Sequence, residues 1–89
     1  MFVNIGFGNY LNSAQVVTVS RADSAPMKRL IGNAKDQGIL VDATQGRRTK
    51  SVITAMNGQV ILSALMPETI ADRCRPGHAA EKPEELEDE

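Results

Sequence analysis

The chain has 89 residues, of which 42% are hydrophobic and 24% are charged, and it contains a single cysteine. This length predicts one domain, and the composition argues against a fibrous chain or one that is disordered throughout. One cysteine excludes an intramolecular disulfide and a zinc site built from thiolates. Because the sequence shows no secretion signal and no membrane-length apolar run, we expect a cytoplasmic protein without a membrane partner.

The net charge of −1 conceals two oppositely charged parts of the chain. Residues 76–89 contain six acidic residues and one lysine, a net charge of −5, whereas residues 1–75 contain nine basic and five acidic residues, a net charge of +4. The proline- and glutamate-rich segment 76–89 predicts a disordered acidic tail. We therefore divide the chain into a basic folded domain, residues 1–75, and this tail. A core of that size is worth only about 3–5 kcal/mol without a disulfide or a metal, which favours self-association.

The first half of the chain predicts two strands and one amphipathic helix. Residues 2–5 form a short strand that ends at the turn sequence 6–9, and residues 14–20 are rich in β-branched side chains. Asp23, Ser24 and Pro26 are typical of a helix start, and Gly38 is typical of a helix end. Between them, four apolar residues recur at helical spacing: Met27, Leu30, Ile31 and Ala34.

The second half predicts a further strand, a hairpin and a short helix. Residues 39–43 are a short apolar run, and Asn57-Gly58 between two β-rich runs predicts a two-residue hairpin loop. That loop would pair Ala55 with Val60 and Ile53 with Leu62. Both faces of the hairpin are apolar, so the second face needs a cover, which is either a neighbouring subunit or a final helix beginning at Pro67. The fold class is α+β: a small antiparallel sheet, one main helix and a short C-terminal helix.

Catalytic chemistry is poorly supported by the side chains present. The single histidine, His78, lies in the acidic tail, where it is a poor general base and a poor metal ligand. Cys74 has two arginine neighbours that could activate a thiol, but packing is the favoured interpretation. Asp42, at the end of an apolar strand, is expected to order the following turn. We therefore predict a protein that is not an enzyme, with no cofactor, metal or small-molecule substrate.

Residues 46–50 hold the one concentrated cationic feature, Gly-Arg-Arg-Thr-Lys. Arginine forks suit phosphate oxygens and guanine edges, and neighbouring hydroxyls add neutral phosphate contacts. A solvated surface turn is the alternative interpretation of such a pair. The absence of acidic residues between Asp42 and Glu68, together with the basic folded domain, favours nucleic acid binding by Arg47, Arg48 and Lys50.

The distribution of aromatic residues favours duplex DNA over single strands or RNA. Binders of single-stranded nucleic acid stack bases on aromatic side chains of a sheet. The three aromatic residues here all lie at the N-terminal end, and the hairpin has none: Phe2, Phe7 and Tyr10. A helix-turn-helix of the usual form is not indicated.

Several segments together resemble the RemA family, the bacterial extracellular matrix regulatory proteins. The resemblance lies in Asn-Ile-Gly-Phe-Gly-Asn at 4–9, Asp-Ser-Ala-Pro at 23–26 and Val-Asp-Ala-Thr-Gln-Gly-Arg-Arg-Thr at 41–49, and continues through 60–63 and 67–69. It covers residues 2 to about 73. It implies a nucleoid-associated transcriptional regulator that binds DNA as a ring-like homo-oligomer, and that activates matrix genes in biofilm-forming relatives.

The resemblance also implies which residues contact DNA. The family's arginine pair falls on Arg47 and Arg48, and a further family arginine falls on Gln15, so that cation is missing here. The competing hypothesis is a structural or protein-binding oligomer whose basic turn meets an acidic partner, which could be the tail of the same chain.

Overall fold

The computed structural model describes residues 1–75, which form two sheets and two helices. The strands are β1 (Phe2–Asn4), β2 (Tyr10–Asn12), β3 (Val16–Arg21), β4 (Leu40–Asp42), β5 (Ser51–Ala55) and β6 (Val60–Ser63). The helices are α1 (Ala25–Gln37) and α2 (Pro67–Cys74), and one turn of 3₁₀ helix, Ser13–Gln15, precedes β3. This confirms the α+β class with one main and one short helix. The predicted acidic tail, with His78, lies outside the described residues.

The main sheet is mixed, so the prediction of an antiparallel sheet was wrong. Its strand order is β3-β5-β6-β4, and β4 pairs with β6 in parallel while β5 is antiparallel to both of its neighbours. The reason is that α1 carries the chain from one edge of the sheet to the other and returns it in the same direction, as a crossover helix does. Strands β3, β6 and β4 therefore all finish at one end of the sheet, which we call the carboxyl end.

Helix α1 begins and ends where the sequence predicts. The Ser24 hydroxyl accepts a hydrogen bond from the Met27 amide at 3.3 Å, and Gly38 ends the helix at φ 74°, where glycine is favoured. The predicted apolar stripe packs on one sheet face, formed by Val52, Val60 and Leu62. Within residues 1–75, neither helix is long and apolar enough to span a bilayer.

The hairpin between β5 and β6 is present, but its predicted register was wrong by one residue. Val52 lies opposite Leu62 and Ile53 lies opposite Ile61. The loop has three residues instead of two, because the Gly58 amide donates to the Ala55 carbonyl at 2.9 Å and Gly58 adopts φ 90°. A turn followed by a left-handed glycine is the usual three-residue hairpin loop. A shift of one residue exchanges the faces, so Ile53 and Leu62 lie on opposite sides of the sheet.

The N-terminal region differs from prediction in two respects. Residues 10–12 form β2, which pairs with β1 in a separate two-stranded sheet that the sequence did not predict as a hairpin. The strand predicted over 14–20 starts later, at Val16, because the Asn12 side chain accepts a hydrogen bond from the Ala14 amide at 3.0 Å and caps the 3₁₀ turn. The turn at residues 6–9 is confirmed, with the Asn9 amide donating to the Gly6 carbonyl at 3.0 Å.

The second face of the main sheet is covered by α2 together with the N-terminal hairpin. Ile53 on that face packs with Ile5, Leu65 and Ile70, all of which are buried. The Ser63 hydroxyl donates to the Ile5 carbonyl at 2.8 Å, which joins the two sheets. Of the two predicted covers, the final helix is therefore the one that the structure shows.

Candidate nucleic-acid interface

Asp42 orders the turn that carries the arginine pair, as the sequence predicts. Its Oδ1 atom accepts hydrogen bonds from the Thr44 amide at 2.9 Å and from the Thr44 hydroxyl at 2.7 Å. Thr44 itself is buried. This arrangement is the local turn that a short carboxylate side chain forms with the backbone two residues later. Asp42 therefore has a structural function at the end of β4.

The chain then reverses between Thr44 and Arg47. The Arg47 amide donates to the Thr44 carbonyl at 3.0 Å, and the two central residues, Gln45 and Gly46, both have positive φ, 56° and 79°. Two successive left-handed residues are typical of a type I′ turn, and Gly46 adopts this conformation without strain. The turn leaves Arg47 and Arg48 exposed to solvent. Their guanidinium groups can therefore reach an extended ligand.

Both ends of this segment are held by the same strand. The Ala43 amide donates to the Leu62 carbonyl at 3.0 Å, and the Lys50 amide donates to the Ser63 carbonyl at 2.9 Å. The segment 43–50, which we call the arginine loop, consequently crosses the end of β6. It lies at the carboxyl end of the sheet, where Lys50 is half-buried.

Phe7 contacts the arginine loop from the N-terminal hairpin. The Arg47 Cζ atom lies 5.6 Å from the centroid of the Phe7 ring, within the range of a cation–π interaction. Phe7 occupies the left-handed region at φ 56° in the turn between β1 and β2. From the sequence, this turn is predicted only as a chain reversal between strands. The one signal for it in the sequence is the aromatic residue between Gly6 and Gly8.

The structure brings three of the four predicted site residues together and places the fourth elsewhere. Arg47, Arg48 and Lys50 share the arginine loop, whereas Gln15 precedes β3 at the opposite end of the sheet. The Gln15 carbonyl accepts a hydrogen bond from the Met56 amide at 2.8 Å. Five residues of extended chain separate position 56 from position 51, which corresponds to about 17 Å. Within one subunit, Gln15 therefore does not adjoin the arginine loop.

Cys74 behaves as a packing residue. It is half-buried and packs against the core that contains Ile70. Burial raises the pKa of the Cys74 thiol, because desolvation disfavours the thiolate. A raised pKa is the opposite of what a nucleophilic thiol needs. In the part of the chain that is described, we also find no cluster of three residues able to hold a metal ion.

Comparison with known proteins identifies the class as that of bacterial regulatory proteins. The model of the RemA-like family, "Extracellular matrix regulatory protein A-like", matches residues 2–74. The chain belongs to this family. The chain is 49% identical to a protein of Lachnoclostridium phytofermentans over 82 residues, which is 92% of this chain and 90% of that protein. It is 51% identical to a protein of Geobacillus thermodenitrificans over 72 residues, 81% of this chain and 83% of that protein. Both relatives carry the name "Putative regulatory protein".

Proposed function

We propose that the protein is a transcriptional regulator that binds duplex DNA through arginine loops repeated around a ring-like homo-oligomer. The observation that carries this proposal is the exposure of Arg47 and Arg48 on a loop that is hydrogen-bonded to β6 at both ends. Arginine forks suit phosphate oxygens, and a loop held by backbone hydrogen bonds loses little main-chain freedom when it binds. The regulatory names of the family and of the relatives support the regulatory part of the proposal.

The surface around the arginine loop fits a phosphate backbone better than single-stranded bases. Phe7, whose ring lies against Arg47, is half-buried in a tight turn and not on an open sheet face. A sheet that binds single strands needs several exposed aromatic rings. Among the described strands of the main sheet there is no aromatic residue. Charge contacts to duplex phosphates are therefore the favoured mode.

Exposed apolar side chains support the proposed self-association. Val17 on β3 and Val41 on β4 are 60% and 40% exposed, and these strands form the two opposite edges of the main sheet. Val41 also lines an open groove of about 280 Å³ together with Tyr10 and Ile61. Contacts between unlike surfaces of identical subunits produce rings when the rotation closes. A ring would repeat the arginine loop along one duplex.

Arg47→Ala and Arg48→Ala test the DNA-binding proposal. Each lost phosphate contact lowers the slope of log affinity against log salt by about 0.9, and a ring loses one contact per engaged subunit. We expect either substitution to weaken binding to every duplex severely. Lys35→Ala is the matched control, because Lys35 is exposed in the last turn of α1, toward the other end of the sheet. Unchanged affinity and salt slope for Arg48→Ala in an intact oligomer would contradict the proposal.

Two further measurements address assembly and regulatory targets. Light scattering coupled to size exclusion should give a mass several times 9.6 kDa, and Val41→Glu should lower it. A compact monomer at micromolar concentration would contradict the ring.

Chromatin immunoprecipitation in the native host should enrich promoters of extracellular matrix genes if this member shares the function that the family name describes. If the oligomer forms but does not bind DNA, the competing hypothesis is favoured, in which the arginine loop binds an acidic protein partner.

A further inference from the structure

The carboxyl end of the main sheet contains an open pocket in addition to the exposed arginine pair. The chain leaves β3 there to enter α1, leaves β6 to enter α2, and leaves β4 to enter the arginine loop. In sheets with helices following parallel strands, ligands commonly bind outside the carboxyl ends of those strands. The pocket has a volume of about 190 Å³ and is lined by residues from all three connections.

The charged residues that line this pocket are mostly cationic. Arg21, Arg48 and Lys50 contribute three positive charges, and Asp23 contributes the single negative charge. Pro67, the first residue of α2, also lines it, so the positive end of that helix dipole faces the pocket. Glu68 in the same helical turn is exposed and offsets part of that field. The chemistry of the pocket therefore suits a phosphate group.

Arg21 is placed at the pocket by strand pairing and not by chance surface proximity. It is the last residue of β3 and lies directly opposite Ser51, the first residue of β5. Lys50 immediately precedes Ser51 and is held by its own amide bond to the Ser63 carbonyl. The register of the sheet thus brings a cation from β3 beside the cations of the arginine loop, although 27 residues separate Arg21 from Arg48.

We propose that this pocket holds a backbone phosphate of bound DNA and that Arg21 contacts that phosphate together with Arg48 and Lys50. The inference rests on the proposed function, since it assigns a further DNA-contacting residue to the same surface. Arg21 is 65% exposed in its side chain, and its Nη2 atom lies 3.4 Å from an Asp23 carboxylate oxygen. An exposed pair of this kind is weak in water, so a phosphate can displace the carboxylate. Asp23 then acts as a competitor for the Arg21 guanidinium.

The test compares six full-length proteins on one duplex across a salt series: the unmodified chain, Arg21→Gln, Arg48→Ala, Asp23→Asn, the double variant Arg21→Gln/Asp23→Asn and the control Lys35→Gln. We expect Arg21→Gln to weaken binding and to lower the salt slope by about 0.9 per engaged subunit. Asp23→Asn should tighten DNA binding, because it removes the carboxylate that competes with phosphate for Arg21. In the double variant with Arg21→Gln this gain in affinity should be smaller, since the guanidinium for which the two compete is absent. Lys35→Gln should have little effect. Thermal melting and light scattering verify that each variant remains folded and assembled.

The outcomes separate this inference from the proposed function. If Arg48→Ala weakens binding but Arg21→Gln leaves affinity and salt slope unchanged, the pocket is not a phosphate site and the inference is wrong. An equal gain from Asp23→Asn with and without Arg21 also overturns it, because the carboxylate then acts only by general repulsion. If the unmodified chain does not bind duplex DNA, or if Arg48→Ala has no effect, the proposed function itself fails.

Discussion

The Arg47 guanidinium lies over the ring of Phe7, with its Cζ atom 5.6 Å from the ring centroid. The two residues are forty positions apart in the sequence. Phe7 lies in the turn of the β1–β2 sheet, and Arg47 lies in the loop that follows β4 of the main sheet. The Ser63 hydroxyl bond to the Ile5 carbonyl and the Arg73 guanidinium bond to the Asn4 carbonyl, both 2.8 Å, hold the N-terminal hairpin against the rest of the domain. The position of Phe7 is therefore fixed independently of Arg47.

Phe7→Leu should weaken DNA binding without unfolding the protein. The contact orients the Arg47 side chain before DNA binds. Because an exposed cation–π contact is worth about 0.5–1 kcal/mol, its loss should cost each engaged subunit a factor of up to roughly two to five in affinity. Phe7→Tyr keeps the ring and is the matched control, since both substitutions keep a side chain at the same left-handed position. Titration of a labelled duplex measures the effect. If Leu and Tyr bind DNA equally well, the ring does not orient Arg47.

Alanine substitution is expected to have opposite effects on stability at two glycines, Gly58 in the β5–β6 hairpin loop and Gly32 in α1. Gly58 sits at φ 90°, so Gly58→Ala should lower the free energy of unfolding by about 1–2 kcal/mol. Gly32, within α1, has open space around it, so Gly32→Ala should raise that free energy by about 0.5–1 kcal/mol. Urea denaturation of both variants measures the difference. A neutral Gly58→Ala would argue against the left-handed conformation at position 58.

Features that depend on a few consecutive residues could be predicted from the sequence, whereas features that depend on distant pairing could not. Helix α1 was predictable because its cap, apolar stripe and terminal glycine all lie within fifteen consecutive residues. The hairpin register was not, because Asn57-Gly58 is compatible with a two- or a three-residue loop and the choice moves every partner by one. The direction of β4 depends on the crossover of α1, which no local pattern encodes.

The candidate site shows the same limit. Arg47, Arg48 and Lys50 lie within four consecutive residues and were predicted as one cationic feature. The structural function of Asp42 was predicted separately, from its position before the turn. The approach of Arg21 and of Phe7 to the cationic feature arises from sheet pairing and from packing of the N-terminal hairpin, so spacing alone could not show it. The assignment of Gln15 to the same surface came from family resemblance, and it remains a prediction that depends on assembly.

Gln15→Arg tests that dependence. Within one subunit, position 15 lies at the opposite end of the sheet from the arginine loop, so a new cation there can contact the same duplex only if neighbouring subunits bring the two together. We expect tighter binding and a steeper salt slope for the assembled protein. The same substitution combined with an assembly-disrupting Val41→Glu should give no gain. A gain that persists in monomers would show that position 15 acts without a neighbouring subunit.

Removal of residues 76–89 should tighten DNA binding and leave assembly unchanged. The segment carries a net charge of −5 and competes with phosphates for the cations of the basic domain. This competition operates within a Debye length of roughly 8 Å at physiological salt, so the difference should be largest in dilute buffer. Binding of the truncated and full-length chains should converge at high salt. Weaker or unchanged binding after truncation would show that the tail does not mask the surface.

The raised pKa of Cys74 predicts that the free energy of unfolding falls at alkaline pH. Its pKa is raised in the folded state by burial, so the thiolate is favoured in the unfolded chain. The stabilising contribution is complete below the unfolded thiol pKa of about 8.5 and is lost as the pH rises through the higher folded value. Folded protein should also react with a disulfide reagent more slowly than urea-unfolded protein at the same pH. Cys74→Ala should remove this part of the pH dependence of unfolding, which denaturation at several pH values measures.

Both ends of the arginine loop are attached to β6, and this attachment allows the sequence of the loop to vary separately from that of the sheet. Because the Ala43 and Lys50 amides bond to adjacent carbonyls of one strand, the residues between them can change in number or kind while the sheet keeps its pairing. For a loop whose ends are fixed in this way, the entropic cost of closure rises only slowly with added length. The pairing of the sheet therefore does not depend on residues 45–48, and the charge that the arginine loop presents can be altered there without redesign of the strands that hold it.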